Sequence, residues 1–534
     1  MAGEQVRTEQ GTFHEPGSGR ARLQPSRSPP GLAPTRPQAR PTSATATWAK
    51  AVVALGGLLI LTTPPWVGIG AELAGRRPNI VLVMTDDQGY GEIGAHGNAV
   101  IRTPNLDRMH AQSVRFTDFQ VSPTCAPTRS ALMTGRHEFR NGVTHTILER
   151  ERLTLQAVTV AQVLKSAGYT TGIFGKWHLG DEDEYQPGQR GFDEVFIHGA
   201  GGIGQTYPGS CGDAPGNQYF NPAIRHNGRF VHTQGYCTDV FFAQALQWIE
   251  QRRNAAEPFF AYLTPNAPHD PFISPGPDYE APYLGRGLST NAVSYYAMIS
   301  NIDENIGRLL AALEQHQLAT NTLVIFMTDN GHSVPDLFNA GMRGMKGGPY
   351  QGGTRVPSFW RWTGTLTPGD RPQLAAHLDV LPTLAALAGA TLNPQVVAQV
   401  EGRSLVPLLA DAAAPWPDRF LVTHVGRWPR GQAADWKHRQ CAIRNARFRL
   451  VNDTELYDLQ ADPAETRNVL AEHPDVARTL RSAYDAWWES VQPGLVNELV
   501  IGPAVNPFKT AYWAQFGGGP DAAMRQLMDP VRFR

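Results

Sequence analysis

The sequence has few cysteines, almost no net charge and no long apolar run, and each shortage narrows the possible class of protein. Its 534 residues include 47 basic and 48 acidic side chains, a formal net charge of -1. This balance argues against the basic footprint of a nucleic-acid-binding protein. With 41% hydrophobic and 18% charged residues, the composition is typical of a globular protein rather than a disordered or fibrous one.

Only four cysteines are present, Cys125, Cys211, Cys237 and Cys441. Cys211 and Cys237 lie in glycine- and tyrosine-rich sequence, where they could pair as a disulfide in an oxidising compartment or remain two unpaired loop thiols. The spacing does not decide between these alternatives.

The longest apolar run near the N-terminus, residues 51–61, is shorter than the roughly 20 residues that a membrane-spanning helix needs. A basic segment rich in Pro and Ser precedes it, and small residues follow at 71–74. This order resembles a secretory signal, although its basic part is long enough to suggest a downstream start codon. We therefore predict export to the periplasm or medium, with membrane contact only through an uncleaved N-terminal anchor.

The chain is long enough for about two to four domains. We predict a leader over residues 1–77, a catalytic domain over 78–414, a C-terminal α+β subdomain over 415–500 and a tail over 501–534. The apolar residues of the tail show neither helical nor strand periodicity. From Pro78 short apolar runs alternate with helical stretches, which predicts an α/β fold with a large, mainly parallel sheet sandwiched by helices.

The periodicity predicts individual elements of both units. In the catalytic domain, the predicted strands are residues 79–85, 170–174, 259–263 and 323–328, and the predicted helices are 154–167, 238–252, 295–315 and 374–389. In the C-terminal subdomain, short antiparallel strands are expected at 419–425, 439–445 and 448–452, covered by a helix at 474–491.

Each of the four strands of the catalytic domain ends in polar residues. Asp86 and Asp87 follow the first, and the later strands lead to Lys176 and His178, to His269, and to Asp329 and Asn330. Ligand sites of open α/β sheets form at the carboxyl ends of the strands. Four such endings together predict one assembled site.

Asp86, Asp87, Asp329 and Asn330 offer only hard oxygen ligands, which favour calcium or magnesium over zinc. Adjacent buried carboxylates repel each other, so a cation would compensate them. Taken alone, Asp86 and Asp87 could instead cap a turn and bind nothing.

The segment Cys125-Ala126-Pro127-Thr128-Arg129-Ser130-Ala131-Leu132-Met133-Thr134-Gly135-Arg136 carries the most specific pattern. Pro127 suits the first turn of a helix that begins at Cys125 and points free N–H groups at a bound anion. Arg129, one turn later, suits a tetrahedral oxyanion. By itself this cysteine could equally be a thiolate nucleophile beside a histidine.

The segment strongly resembles the type I sulfatases of the alkaline phosphatase superfamily. The resemblance runs from Pro78 to about Leu470 and includes GKWHLG, APHDPF, TDNG and GMKGGPYQGGTRVP. It implies an alkaline-phosphatase-like fold and a maturation enzyme that oxidises Cys125 to formylglycine. It also implies one calcium ion, with magnesium as the alternative, bound by Asp86, Asp87, Cys125, Asp329 and Asn330.

The resemblance also implies a role for each further site residue in the hydrolysis of a sulfate ester. Arg129, Lys176 and Lys346 would neutralise the transferred group. His269 would protonate the leaving alcohol or phenol, and His178 would take the proton that expels the covalent sulfate. The remaining histidines, such as His145, His332 and His377, are predicted to be structural.

One position departs from the family pattern, because Gln351 stands where relatives commonly carry Glu. This departure removes a carboxylate from the glycine-rich segment but leaves the predicted metal ligands intact. Residues 181–237 and 270–290 are expected to wall the pocket, and they do not reveal the leaving group.

Three competing interpretations remain. A phosphonate monoester or phosphodiester hydrolase would use the same fold and the same formylglycine. A zinc alkaline phosphatase would need more histidines and a Ser or Thr nucleophile. A non-catalytic binding protein would leave Cys125 unmodified.

Overall fold

The central element of the fold is a mixed sheet of ten strands. The computed structural model of the protein describes residues 72–205 and 212–520, together with residues 522 and 525. The predicted signal run at 51–61 and Cys211 lie outside these residues. The strands of the described part are β1 (Asn79–Thr85), β2 (Val114–Phe116), β3 (Phe119–Gln120), β4 (Thr170–Lys176), β5 (Glu194–His198), β6 (Ala223–His226), β7 (Arg229–His232), β8 (Phe259–Thr264), β9 (Thr322–Thr328), β10 (Ser358–Arg361), β11 (Gly369–Arg371), β12 (Ala375–Ala376), β13 (Leu421–His424), β14 (Cys441–Arg444), β15 (Phe448–Val451) and β16 (Glu455–Asp458).

Helices connect these strands. In the same part of the chain they are α1 (Pro104–Ala111), α2 (Cys125–Thr134), α3 (Val160–Ser166), α4 (Cys237–Glu250), α5 (Pro277–Glu280), α6 (Thr290–Gln315), α7 (Gln351–Thr354), α8 (Val380–Ala388), α9 (Pro394–Gln399), α10 (Val406–Ala410), α11 (Pro474–Val491) and α12 (Pro507–Phe516). No helix of the described residues is both long and apolar enough to cross a membrane.

The ten strands have the order β11-β2-β10-β9-β1-β8-β4-β5-β6-β7. The neighbours β9, β1, β8, β4 and β5 are parallel, whereas β10, β6 and β7 pair antiparallel with their neighbours. The prediction of a large, mainly parallel sheet is confirmed. Since β9, β1, β8 and β4 lie side by side, their carboxyl ends meet at one edge.

Strand β1 shows why helices cover both faces of the sheet. Successive side chains of a strand point to opposite faces. Ile80 and Leu82 pack into one apolar core with α3 and α8, while Val81 and Val83 pack into a second core with α4 and α6. All four side chains are buried. A strand buried on both faces has a continuous run of apolar residues, as residues 80–84 show.

Three predicted helices differ from the structure. The helix predicted over 295–315 begins earlier, at Thr290, where the Ser289 side chain caps it. The helix predicted over 154–167 begins only at Val160, because Thr159 and Gln162 form a reciprocal capping box that fixes the start there. The region 374–389 is not one helix. It opens with β12, which pairs with β3, and a short 3-10 turn precedes α8. Pairing with a distant strand overrides the local periodicity at that point.

The C-terminal sheet has the antiparallel order β13-β14-β15-β16 and is covered by α11, as predicted. Strand β16 was not foreseen. The tail also contains α12, whose Phe508 ring lies 5.4 Å from the ring of Phe230 on β7. The Gln515 side chain bonds both backbone groups of Phe230. The boundaries proposed at 414 and 500 stay predictions.

Candidate active site

The polar ends of the four parallel strands assemble into one buried cluster. The backbone N–H of Asp87 donates to Asp329 Oδ1 at 3.0 Å, and Asn330 Nδ2 donates to Asp87 Oδ1 at 2.9 Å. Lys176 Nζ lies 2.5 Å from Asp86 Oδ2. All five of these residues are buried. Side chains from strands that are distant in sequence therefore lie together at this edge of the sheet.

The cluster fits a bound cation. A carboxylate oxygen of Asp86, a carboxylate oxygen of Asp329 and the Cys125 Sγ could surround one ion, because the three atoms lie within 4.8 Å of one another. Asp86 Oδ1 and Asn330 Oδ1 are buried and have no hydrogen-bond partner. Buried oxygens of this kind need a partner, and oxygen donors suit calcium or magnesium. Among the described residues, Asp86, Asp87 and His269 form a second such group.

The electrostatics of the two adjacent aspartates also indicate a missing positive charge. Burial and the nearby Asp329 carboxylate raise the pKa of Asp86 well above its usual range. Burial likewise disfavours the charge of Asp87, but Lys346 and His269 more than compensate it and hold its pKa low. The protein's own cations therefore compensate Asp87 better than Asp86, and Asp86 would gain most from a metal.

Cys125 is the first residue of α2 and is almost completely buried. The Thr124 side chain does not cap the helix, so the free N–H groups of its first turn remain directed at this position. Burial raises the pKa of the Cys125 thiol, yet Lys176 and Lys346 outweigh this effect and the net pKa is lowered. A group placed at this position lies in a positive potential.

Arg129 holds the cluster together from one turn further along α2. Its guanidinium donates to Asp329 Oδ2 at 2.9 Å, to the carbonyl of Lys176 at 3.3 Å and to Thr264 Oγ1. These bonds join α2 to the ends of β9, β4 and β8. Because its Nη atoms are committed to protein groups, Arg129 orients a predicted metal ligand rather than pointing at open space.

Lys346 approaches the cluster from a glycine-rich loop. Its Nζ lies 2.5 Å from Asp87 Oδ2, and its backbone N–H donates to the carbonyl of His332 at 3.0 Å. The loop packs tightly against the residue after Asn330: a Cβ on Gly331 would lie 1.8 Å from the carbonyl oxygen of Gly352. The glycines of TDNG and QGGT therefore let two backbones touch behind the site.

His269 and His178 face the same cavity as Cys125 and Lys346. His269 Nε2 lies 3.7 Å from Asp87 Oδ2, and Nδ1 lies 3.0 Å from Asp270 Oδ1. Burial and Lys346 lower the pKa of His269, but Asp87, Asp86 and Asp270 raise it to a net increase. Burial and Lys176 hold the pKa of His178 well below its usual range. His178 Nε2 pairs with the carbonyl of Thr146 at 2.8 Å.

Gln351 is buried beside Arg449 of β15, whose counter-ion is the buried Glu465. Gln351 Oε1 is 3.3 Å from Arg449 Nη2. The Glu465 carboxylate accepts the Gln351 backbone N–H at 2.7 Å and lies 3.5 Å from Arg449 Nη1. The departure is accommodated because Glu465 supplies the charge that Arg449 needs.

Several contacts of the site carry no motif and were not predicted. Thr264 receives a bond from Arg129, and the hydroxyl of Tyr295 donates to the carbonyl of Asp87 at 2.7 Å. The cavity wall includes Gly201 and Gln205 from the predicted region 181–237 and Asp270 from 270–290. It also contains His145, Thr146, Ile147 and Arg427, which neither region includes.

The other histidines named from the sequence have different surroundings. His145 lines the cavity, although it was expected to be structural. His332 supports Lys346 through its carbonyl, and His377 Nε2 lies 3.0 Å from Ser122 Oγ in a separate cavity. Cys237 is buried at the start of α4. Both alternatives, a disulfide with Cys211 or two unpaired thiols, stay open because Cys211 lies outside the described residues.

Comparison with known proteins places this architecture in a family. A family model described as Sulfatase matches residues 78–390, and one described as N-sulphoglucosamine sulphohydrolase, C-terminal, matches 346–485. Arylsulfatase A of Homo sapiens is 33% identical over 454 residues, covering 76% of this chain and 86% of its own. N-acetylgalactosamine-6-sulfatase of Homo sapiens is 32% identical over 366 residues, covering 64% and 67%.

Solved structures agree with the fold. The crystal structure of Ps i-CgsB is 26% identical, with a TM-score of 0.69, and the match covers 82% of this chain and 97% of that one. The phosphonate monoester hydrolase of Agrobacterium radiobacter is 20% identical, with a TM-score of 0.53 and coverage of 78% and 96%. The latter similarity concerns the fold alone.

Proposed function

This chain belongs to the sulfatase family of sulfuric ester hydrolases, and we propose that it cleaves its sulfate ester with a hydrated formylglycine made from Cys125, beside one calcium ion. The observation that carries the proposal is the position of Cys125. It begins α2, and its Sγ lies within 4.8 Å of a carboxylate oxygen of Asp86 and of Asp329, in a potential made positive by two lysines.

Conversion to formylglycine would supply a hydroxyl nucleophile at position 125 once the aldehyde is hydrated. The side chain is only 2% exposed. We therefore expect the formylglycine-generating enzyme to act on the chain before it folds. In the folded protein, the free N–H groups at the start of α2 would bind and orient sulfate oxygens.

Asp86, Asp87, Asp329 and Asn330, with residue 125, would hold the cation. When bound, calcium would polarise a sulfate oxygen and lower the pKa of a hydroxyl beside it. Magnesium takes the same oxygen donors and is the alternative. Arg129 fixes the orientation of Asp329, and Lys176 and Lys346 would balance the charge of the sulfate group.

The two histidines are poised for opposite proton transfers. The raised pKa of His269 favours its protonated form, so its Nε2 can give a proton to the leaving oxygen. The lowered pKa of His178 keeps it neutral. Because its Nε2 donates to the carbonyl of Thr146, Nδ1 is the nitrogen that can accept a proton from the nucleophile.

The leader belongs to the same proposal. Residues 1–77 contain a basic segment, a short apolar run and small residues after it, the features of an export signal. We propose that the chain is exported. Immunoblots of fractionated host cells would find it outside the cytoplasm, and a wholly cytoplasmic pool would contradict this.

The decisive test compares ester classes in protein co-expressed with a formylglycine-generating enzyme. We expect hydrolysis of 4-nitrophenyl sulfate to exceed that of mono- and bis-4-nitrophenyl phosphate, and to vanish in Cys125→Ala. Cys441→Ala, a buried cysteine of the C-terminal sheet, is the matched control and should keep activity. Mass spectrometry of the peptide around residue 125 verifies the modification.

The outcomes separate the alternatives. Faster cleavage of the phosphate diester would keep the mechanism and make the chain a phosphodiester or phosphonate hydrolase. An unmodified Cys125 in the native host would support a non-catalytic binding protein. Modified protein that cleaves no aryl ester would refute an arylsulfatase and direct the search to bulkier sulfate esters.

A further inference from the structure

A cavity of about 250 Å³ extends from Cys125 to the surface and is the space for the leaving group. Among the described residues that line it, Ile147 is the single large aliphatic side chain and no Phe, Tyr or Trp is present. An aryl group binds best against an apolar or aromatic wall. This wall consists instead of hydrogen-bonding groups, which suit a polyhydroxylated sugar.

Arg427 is the unusual member of this wall. One Nη atom donates to Thr146 Oγ1 at 3.1 Å, while its Nε is buried without a hydrogen-bond partner. No carboxylate of the described residues pairs with it. By contrast, Arg129 lies 2.9 Å from Asp329 and Arg150 lies 3.0 Å from Glu498. A half-buried guanidinium without a counter-ion is costly unless a ligand supplies the anion.

The guanidinium is held by a rigid backbone. Gly426 and Arg427 both have left-handed φ angles, 66° and 58°, and the Arg427 N–H donates to the carbonyl of Thr144 at 3.0 Å. A Cβ on Gly426 would lie 2.0 Å from that carbonyl oxygen, so only glycine allows the approach. The loop that carries Arg427 is therefore clamped onto the segment 144–147.

Thr146 joins Arg427 to the reaction centre. Its hydroxyl accepts from Arg427, and its carbonyl oxygen pairs with His178 Nε2 at 2.8 Å. The positive group therefore stands at a fixed offset from the position of the sulfate. A second anion on the same sugar could bind there without any rearrangement of the wall.

The other titratable side chains of the wall also favour an anion. His145 Nδ1 accepts the Thr146 N–H at 2.8 Å, and burial with the Arg427 and Arg150 charges holds the pKa of His145 well below its usual range. Its neutral ring therefore offers an Nε2–H donor. Asp270 is the one acid among the described lining residues, and its carboxylate pairs with His269 Nδ1 at 3.0 Å.

We infer that the sulfate ester cleaved here is carried by a sugar with a second anionic group, a carboxylate or another sulfate, and that Arg427 binds this group. The inference rests on the proposed function and specifies its substrate class. A bond from a charged donor to an anion typically changes affinity by about 10- to 100-fold.

The test compares three panels of hexose derivatives: neutral sugar monosulfates, the same sugars with a second sulfate, and uronic acid monosulfates. Sulfate release, followed by ion chromatography, gives kcat/KM for each. We expect the better anionic panel to exceed the neutral one by at least about tenfold, and Arg427→Met to remove most of this preference through KM. The panel that is preferred identifies the second anion.

Arg427→Lys keeps a charge without the guanidinium fork and should retain part of the preference. Arg229→Met, at an exposed position of β7, is the matched control and should leave the preference unchanged. Equal rates on neutral and anionic sugars, or an equal loss on both in Arg427→Met, would overturn the inference while sparing the proposed function. If the modified protein hydrolysed neither the sugar sulfates nor an aryl sulfate, the inference and the proposed function would both be refuted.

Discussion

Glu138 provides a pH-dependent stability that can be worked out from its surroundings. Its side chain is 1% exposed, and burial raises its pKa from the usual 4.5 to about 7 despite one bond from Ser122 Oγ at 2.7 Å. His137 Nδ1 lies 3.6 Å from Oε2, but burial keeps the pKa of His137 well below its usual range. The neighbouring ring is neutral, so this contact is not an ion pair.

The sign follows from which state binds the proton more tightly. Between pH 4.5 and about 7 the folded protein keeps Glu138 protonated while the unfolded chain loses the proton. The free energy of unfolding therefore falls as pH rises through this window. A pKa difference of roughly 2.5 corresponds to roughly 3 kcal/mol, the largest loss expected from this group above pH 7.

Glu138→Gln replaces the carboxyl group with an amide whose oxygen can still accept from Ser122, and it removes the titration. Urea unfolding of both proteins would be measured from pH 4.5 to pH 8. We expect similar stability at the acidic end and a variant more stable by up to roughly 3 kcal/mol at the basic end. A difference between the two proteins that does not change with pH would refute the reasoning.

Two further predictions concern buried charge. Glu465→Gln should lower the free energy of unfolding by about 3 to 5 kcal/mol because it leaves Arg449 buried without a counter-ion. Adding Gln351→Glu should return a carboxylate to Arg449 and recover part of this loss, and a double variant as unstable as the single one would contradict the network. Chelation should abolish activity and lower the melting temperature, because burial and the repulsion between Asp86 and Asp329, which the neighbouring cations do not fully offset at Asp86, then go without the metal's compensation. Calcium should restore both at one ion per chain by metal analysis, whereas two zinc ions per chain would contradict the proposed centre.

The sequence predicted the elements whose stability is local or whose pattern is continuous. Residues 79–85 form β1 over the predicted bounds, and 474–491 form α11 over theirs. Both segments have one dominant signal, an uninterrupted apolar run or a strong helical period. Local signals were weaker at 154–167, where Thr159 decides the start of α3, and at 374–389, where Ala375 pairs with Phe119.

The predicted site residues are brought together because parallel strands bring their ends to one edge. Asp86 and Asp329 directly follow β1 and β9, Lys176 is the last residue of β4, and His269 lies in the loop after β8, so the strand topology gathers them. Cys125 was found differently, through a motif that is specific in itself. Their individual roles remain proposals, supported by the distances and charges described above.

The sequence by itself determined the fold class, the family and the residues that gather around Cys125, because these depend on strand runs and on motifs that are contiguous in the chain. Only the tertiary structure revealed that Glu465 neutralises Arg449 beside Gln351, and that Arg427 faces the leaving-group cavity. These side chains lie far along the chain from the motifs beside which they pack. Their contacts depend on how two chain segments pack in space, and no spacing along the sequence records that.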